Sequence, residues 1–576
     1  NGFNILREMN ETESKTDNFS ITSRFNLDYS FFKQLKFSGL ASYSFTNNKS
    51  DNYKGKDTYA AFVDRLYFDT QGNSSRTYSS ISQSNTNNSS YSLRGQLSYS
   101  DVYREIHRFS VLAGAEIRGE KAEGIFEKRY GYDPVTGNSA MPVPKDPGNG
   151  EGFKYSDLVS YANAMDQLSG QEIEENRFAS FYGALDYSLF DRYVLNVSFR
   201  TDGSNNFGSD EQFNPTWSAG AVWHVSEETF MEVVRPVLSR LSLRVATGYT
   251  GNINKTVKPN LMMKYYKNFR ISDDENYRMG YINNAPNPKL RWEKTRDVKV
   301  ALDFGLWKDR INGIVEAYWR KSKDCVTSEY VPVTTGFFNQ SYNTSVLQNN
   351  GVEFSLSVAV LKSKDYNLSV SANVAWNQNK LKKYNSPNTS LALDKYVGYP
   401  MGAVFSGKYE GIDPETGMYK FKLRPDAVTN KDGYLREPNN YYYYLGTSVA
   451  PFTGGFNLNF SYKNIGLSVG GSYSVKAKMV DNIESPAGYE LLSGSKLESI
   501  PTPHNDLYRN HLNVKREVRN RWTPENRTGV KYPRLIDAYG KKLGLDLTNP
   551  TLTTITRGAL LEDISYLRIN TIALSY

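Results

Sequence analysis

Between Phe181 and Leu189 the side chains alternate: Phe181, Gly183, Leu185, Tyr187 and Leu189 fall on one side, and Tyr182, Ala184, Asp186 and Ser188 on the other. A period of two is that of an extended strand with one apolar face. The next run repeats it, with Tyr193, Leu195, Val197 and Phe199 opposed to Asn196, Ser198 and Arg200. The same alternation marks Val298 to Leu306, Val352 to Val360, Tyr366 to Trp376 and Phe456 to Tyr462. The pattern predicts an all-β chain of about fifteen strands, many of them about ten to thirteen residues long.

The connections differ systematically. Short turns are predicted near Ser30–Gln34, Asp101–Ile106, Phe190–Arg192, Trp307–Arg310, Lys362–Asp365 and Lys463–Ile465. Between them lie long segments: Thr46–Asn88, Arg118–Asn176, Gly251–Trp292, Lys321–Asn349, Gln378–Thr453 and Val475–Leu561. Long loops on one side and short turns on the other characterise outer-membrane barrels. Eleven residues at roughly 3.4 Å each, tilted near 45°, rise about 26 Å, which matches the apolar band of such barrels. Aromatic residues gather at strand ends, as in Tyr29, Phe31 and Phe32 or Tyr318 and Trp319, where a membrane interface would hold them.

Charge then assigns the faces. A Lys or Arg against hydrocarbon at mid-bilayer costs roughly 2–4 kcal/mol. Asp186, Asn196, Arg200, Asp303 and Glu353, together with Lys299 and Glu316, are therefore expected to face a polar lumen, the charged ones otherwise lying near a rim. An open sheet of this size would leave unpaired edges inside the membrane, so the chain is expected to be part of a closed barrel.

Composition removes other classes. Among 576 residues no stretch approaches the 18 or so apolar residues of a transmembrane helix. The net charge of +8 is not gathered into a basic block, which argues against nucleic acid as a partner. The single Cys325 cannot form an internal disulfide, and the four His (His107, His224, His504 and His511) show no metal-ligand spacing, so neither a metal nor a cofactor is expected. No nucleophile elbow or phosphate loop appears.

Several local motifs read as turns or contacts. Asp133-Pro134-Val135-Thr136-Gly137 and Asp413-Pro414-Glu415-Thr416-Gly417 are read as turns, Pro fixing one corner and Gly permitting positive φ. Asp202 to Asn206 lacks the spacing of a calcium loop and reads as a tight outer hairpin. Tyr441, Tyr442, Tyr443 and Tyr444, placed in a long outer loop, offer flat apolar area with polar tips. With Asp202, Asn205 and Asn206 they are the candidate substrate contacts. Glu227, Glu228, Glu232 and Arg235 read as a solvated short helix at a periplasmic turn.

Leu290-Arg291-Trp292-Glu293-Lys294-Thr295, followed by Ala301 to Leu306 and Arg310-Ile311-Asn312-Gly313, looks like the barrel segment of TonB-dependent outer-membrane transporters of the SusC/RagA type. Asn349-Asn350-Gly351-Val352-Glu353, Val397-Gly398-Tyr399-Pro400, Gly411 to Gly417, Phe452 to Phe456, Arg521-Trp522-Thr523 and Tyr566 to Ile569 through Leu574 to Tyr576 resemble further segments in the family's order. Upstream, Arg200-Thr201-Asp202-Gly203-Ser204-Asn205-Asn206-Phe207-Gly208 resembles the R-x-D-G-S-x-x-F-G hairpin of TonB-dependent receptors.

The resemblance implies a barrel of 22 strands in the outer membrane, preceded by a signal peptide and a plug domain. Residues 1–576 are then expected to be a partial barrel, with five strands in front and two closing strands behind. It further implies energised import of oligosaccharides, or less often peptides, without covalent chemistry. The implied partners are a SusD-like surface lipoprotein and the TonB-ExbB-ExbD complex. A siderophore receptor, a passive porin, a barrel-embedded hydrolase with a Ser/His pair and a secreted β-rich adhesin are the alternatives.

Overall fold

The computed structural model describes residues 4–70, 79–140, 142–144, 168–255, 257–265, 280–337, 339–384, 397–415, 417, 419–427, 441–480, 519–532 and 557–576. Among the described residues, fifteen strands form one antiparallel sheet in chain order. They are β1 (Thr12–Ser30), β2 (Leu35–Lys54), β3 (Ser80–Tyr103), β4 (His107–Tyr130), β5 (Ser169–Leu189), β6 (Tyr193–Ser204), β7 (Phe213–His224), β8 (Leu238–Asn252), β9 (Glu293–Leu306), β10 (Ile311–Tyr330), β11 (Asn339–Lys362), β12 (Tyr366–Lys383), β13 (Phe452–Tyr462), β14 (Ile465–Val475) and β15 (Tyr566–Ser575).

Residues directly opposite in an antiparallel ladder point to the same face, so the register sorts every side chain. One row runs Ser100, Ser110, Asp186, Asn196, Gly220, Ala246, Lys299, Tyr318, Gly351 and Asn377 from β3 to β12. A row on the other face runs Phe109, Tyr187, Leu195, Ala221, Val245, Val300, Ala317, Val352 and Trp376. The separation of polar from apolar predicted strand by strand thus extends across the sheet. Leu195, Val197 and Phe199 are exposed on the apolar face. Each such side chain left in water forfeits about 1.5–3 kcal/mol relative to burial, so this face calls for hydrocarbon.

The predicted short turns sit between the strands they were expected to join. Phe190 and Asp191 adopt left-handed φ of 54° and 55°, and Trp307, Lys308 and Asp309 adopt 51°, 57° and 60°, which reverses the chain in a few residues. The two D-P-x-T-G motifs also behave as turns. Asp133 accepts from the Val135 amide at 3.0 Å and the Thr136 hydroxyl at 2.9 Å, and in the second copy the Gly417 amide reaches the Asp413 carbonyl at 2.8 Å. Thr416, His504 and His511 lie outside the described residues, as does much of the long segment Val475–Leu561.

Four expectations are corrected. Strands of ten to twelve residues occur at β6, β7, β13, β14 and β15, but the others run past thirteen, and β3, β4 and β11 each have 24. Tilted near 45°, that length rises roughly 58 Å, about twice the apolar band, so the wall stands clear of the bilayer. Consequently the segments expected as long loops at Thr46–Asn88, Arg118–Asn176 and Lys321–Asn349 are partly strand. Second, Tyr442 to Tyr444 are not loop: they belong to Tyr442–Thr447, which pairs with Ala403–Ile412 in a small sheet completed by Tyr419–Lys422. Third, residues 202–206 do not make one tight turn, because β6 runs through Ser204 and the connection to β7 is 205–212. Fourth, the segment after β7 is two 3₁₀ turns, Val225–Glu227 and Thr229–Met231, and Glu228 between them is buried rather than solvated.

Glycines mark the ladder where an opposite ring needs room. Tyr318 covers Gly351, Tyr182 covers Gly114, Phe304 covers Gly313 and Phe456 covers Gly471, each pair directly opposite in register. A Cβ on Gly313 would lie 2.2 Å from the Phe304 ring, and one on Gly351 2.4 Å from Tyr318. The ring takes the space the missing side chain leaves.

Candidate functional site

All five residues expected in the lumen, Asp186, Asn196, Arg200, Asp303 and Glu353, fall on the polar face. Asn196 donates to Asp186, and Arg244 pairs with Asp303 at 2.7 Å. Glu353 stands directly opposite Glu316, whose charge is met by Lys299 at 3.1 Å. Arg200 is the most connected: it donates to Asp202 at 2.7 Å and to Ser180 at 2.8 Å, and lies 3.5 Å from Glu116.

Above this network the connection after β8 folds over the polar face. Lys255 reaches Glu120 of β4 at 2.8 Å, across β5, β6 and β7, and Lys258 binds Glu174 at 3.2 Å and Asn206 at 2.9 Å. Asn206 is buried and also donates to Asn176 at 2.8 Å, while Asn205 accepts from the Arg177 amide and donates to the Glu175 carbonyl. Asp202, Asn205 and Asn206 are therefore brought together, but each is engaged in protein hydrogen bonds that hold the outer hairpin and dock Lys258. Between the loop and the wall lies a cavity of about 930 Å³ lined by Ser44, Thr46, Asn88, Ser90, Glu120, Glu174, Asn176, Lys255 and Lys258.

The Lys258 ammonium, hydrogen-bonded to Glu174, holds that carboxyl below its ordinary range, with Asn176 adding to the effect. A depressed carboxylate contributes stability above its unperturbed pKa and loses it as pH falls through the lowered value. Residues 253–255 and 257–262 should accordingly keep their hydrogen-exchange protection at pH 6. They should lose it several-fold, after correction for intrinsic rates, below about pH 4, near the unperturbed carboxylate value.

A second cavity, of about 510 Å³, lies where β11 and β12 meet the small outer sheet. Trp376, Tyr399, Tyr444 and Val449 supply its apolar lining, and Asn349, Asn377 and Asn379 supply amides. Tyr399 packs edge-on to Phe405 at 4.9 Å and meets Tyr444 at 4.9 Å. Of the four tyrosines singled out, Tyr444 is the exposed one; Tyr443 donates its hydroxyl to the Leu423 carbonyl at 2.9 Å. Burial raises the Tyr441 and Tyr444 hydroxyls above their ordinary value, so both remain neutral donors.

Catalytic chemistry finds little support. His224 Nδ1 lies 3.0 Å from Ser242 Oγ near the periplasmic end, but Ser242 is buried, and among the described residues no carboxylate hydrogen-bonds the ring to complete a triad. His107 is 2.8 Å from the Tyr187 hydroxyl. Among the described residues no cluster of His, Cys, Asp and Glu could hold a metal. Burial pushes the Cys325 thiol up to about 11, with Glu293 and Asp324 adding. Maleimide should therefore modify it at pH 8 about two orders of magnitude more slowly than an exposed cysteine, the thiolate being the reactive form.

One contact was not foreseen from the sequence, although both partners belong to motifs noted there. Phe207 of the R-x-D-G-S-x-x-F-G run stacks on Trp292 of Leu290-Arg291-Trp292-Glu293, with centroids 4.6 Å apart. The Gly208 amide donates to the Leu290 carbonyl at 2.9 Å, and a Cβ at Gly208 would lie 1.8 Å from the Pro288 carbonyl oxygen.

The sequence profile described as TonB dependent receptor-like, beta-barrel, matches residues 3–492. The chain belongs to this family. TonB-dependent receptor P26 of Formosa agariphila is 25% identical over 99% of this chain and 53% of its own length. TonB-dependent receptor SusC of Bacteroides thetaiotaomicron is 31% identical over 50% of this chain and 26% of its own. The solved structure of the RagAB peptide transporter superposes with a TM-score of 0.74 at 21% identity, covering 98% of this chain and 56% of that one. As a TonB-dependent receptor-like barrel the chain resides in the outer membrane; its likeness to SusC is one of sequence over half of the chain, and its likeness to RagAB is one of fold. The chain spans about half the length of the first of these relatives.

Proposed function

We propose that this receptor barrel is the wall of a TonB-dependent importer that carries oligosaccharides, with peptides as the alternative cargo. The observation that best supports the reading is the polar face running from β3 to β12, with a folded outer loop docked over it: a hydrated path with a gripping element at its outer end. β1 and β15 each have one wall neighbour among the described residues. A bare edge in hydrocarbon leaves backbone groups unsatisfied at several kcal/mol each, so both edges are paired in the whole protein. The family's 22-strand barrel with a plug provides that closure, and the TonB-ExbB-ExbD complex would act on the plug.

The cavity at Tyr399 and Tyr444 combines aromatic faces with Asn amides, which suits a sugar ring and its hydroxyls. Tyr441 to Tyr443 shape the sheet that presents it. Asp202, Asn205 and Asn206 serve the site by holding the β8 loop in place, and Asp186, Asn196, Arg200, Asp303 and Glu353 line the path below. The projecting lip is the seat for a SusD-like lipoprotein. RagAB, described as a peptide transporter, keeps peptides as the second cargo.

The test is uptake by cells carrying or lacking the whole gene, supplied with labelled oligosaccharide pools or peptide pools. Gene-dependent uptake that stops when TonB is removed is the expected result. Uptake that persists without TonB would identify a passive porin, and a defect confined to iron-limited growth would identify a siderophore receptor. Tyr444→Ala should weaken cargo binding roughly threefold to tenfold, the worth of one aromatic contact.

A further inference from the structure

Most connections at the periplasmic end are turns of a few residues, but β7 and β8 are joined by residues 225–237. Their position is set by Glu228. Its carboxylate accepts from the Tyr193 hydroxyl at 2.5 Å, the Trp223 indole N–H at 3.1 Å and Arg192 at 3.3 Å. Tyr193 and Trp223 are directly opposite each other on β6 and β7, on the same face as Leu195, Val197 and Phe199. The segment therefore folds back against the apolar outer side of the wall. It does not reach across the polar face, where His224 and Ser242 lie.

The segment is tightly wound. Amides of Glu228, Met231, Glu232, Val234 and Arg235 return to carbonyls three or four residues earlier, and Arg235 closes on the Ser226 carbonyl at 2.7 Å. Winding leaves its apolar side chains facing away from protein: Val233 is 88% exposed, Phe230 63% and Val237 51%. Glu227, Glu232, Arg235 and Arg192 supply charge beside them. Exposed Phe and Val next to a belt of Tyr and Trp, with charges of both signs at the same level, match the composition of an interfacial membrane element.

We propose that residues 225–237 form an interfacial anchor that seats Phe230, Val233 and Val237 in phospholipid of the inner leaflet, held to the outside of the barrel through Glu228. The occupant is lipid because Glu228 ties the segment to Tyr193 and Trp223, at the periplasmic end of the same face that exposes Leu195, Val197 and Phe199. The anchor fixes the depth and rotation of the wall in the membrane, independent of what the receptor carries.

The test uses the whole protein in phosphatidylethanolamine/phosphatidylglycerol vesicles, with Cys325 and any other native cysteine replaced by Ser. A nitroxide is attached at Val233→Cys, and its collision rates with oxygen and with a water-soluble nickel chelate are compared. Oxygen access exceeding nickel access, approaching the value for a label at Leu195→Cys, is expected. Nickel access as high as at an outer-loop reference, Val135→Cys, would overturn the proposal, and so would a label closed to both reagents, which would mean protein contact. Heat-modifiable gel mobility screens for folding, and Phe230→Cys gives the same readout if the first variant does not fold. Adding Glu228→Leu should raise nickel access at Val233 several-fold; no change would refute the role given to Glu228.

Discussion

Arginine in place of Val197 should strongly destabilise the barrel, whereas arginine in place of its neighbour Ser198 should be tolerated. Val197 lies on the apolar face near the middle of β6, where a cationic side chain costs about 2–4 kcal/mol. That is a large fraction of the roughly 5–15 kcal/mol by which folded proteins are stable. Ser198 is one residue on and faces the other way, its hydroxyl 2.6 Å from that of Ser218. An arginine there meets water and the acidic groups of the polar face. Denaturant titration in vesicles, read by heat-modifiable mobility, should show a lowered midpoint or no folded species for Val197→Arg and a shift within about 1 kcal/mol for Ser198→Arg. Equal damage from both would refute the assignment of faces.

The second large effect is expected outside the bilayer. Trp292→Ala removes the ring on which Phe207 stacks and empties a buried site, since both rings are shielded from solvent. Large-to-small changes of this kind cost about 3–5 kcal/mol. Gly208→Ala attacks the same junction from the other side, since its Cβ would collide with the backbone at Pro288, and overpacking costs about 1–3 kcal/mol. Both should speed amide exchange in 205–212 and 285–292 while leaving protection in β6 and β9 unchanged. Loss of protection throughout the wall would mean that the junction holds the barrel and not merely its outer loops.

What the sequence revealed follows from where each segment is solvated. Strands crossing hydrocarbon carry different chemistry on their two faces, so Phe181 to Leu189 and Tyr193 to Arg200 announced themselves by alternation, and the intervening turn at Phe190–Arg192 was bounded to the residue. The outer parts of β2 and β3, such as Thr46 to Lys54 and Ser80 to Ser90, are mostly polar on both faces of the ladder. Without contrast between faces they read as loop. Glu228 was misjudged because its environment depends on Tyr193, which is distant in sequence and reaches it only once β6 and β7 are paired. The Phe207–Trp292 contact was hidden for the same reason: each residue stood in a recognisable motif, but nothing local says that two motifs touch. The candidate substrate contacts were legible as residue types and not as roles, since Asn206 is committed to Asn176 and Lys258 while Tyr444 borders a cavity.

The rings lying over glycines bear on how such a wall finds its alignment. Sliding one strand by a single residue inverts its faces and is strongly disfavoured, but sliding it by two restores the alternation, leaving oil and water unable to tell right from wrong. The pairs Phe304–Gly313, Tyr318–Gly351 and Phe456–Gly471 remove that ambiguity. A two-residue error sets each aromatic against an occupied position and leaves each glycine uncovered, so these pairs act as notches along a zip fastener, penalising the mistakes that hydrophobicity forgives.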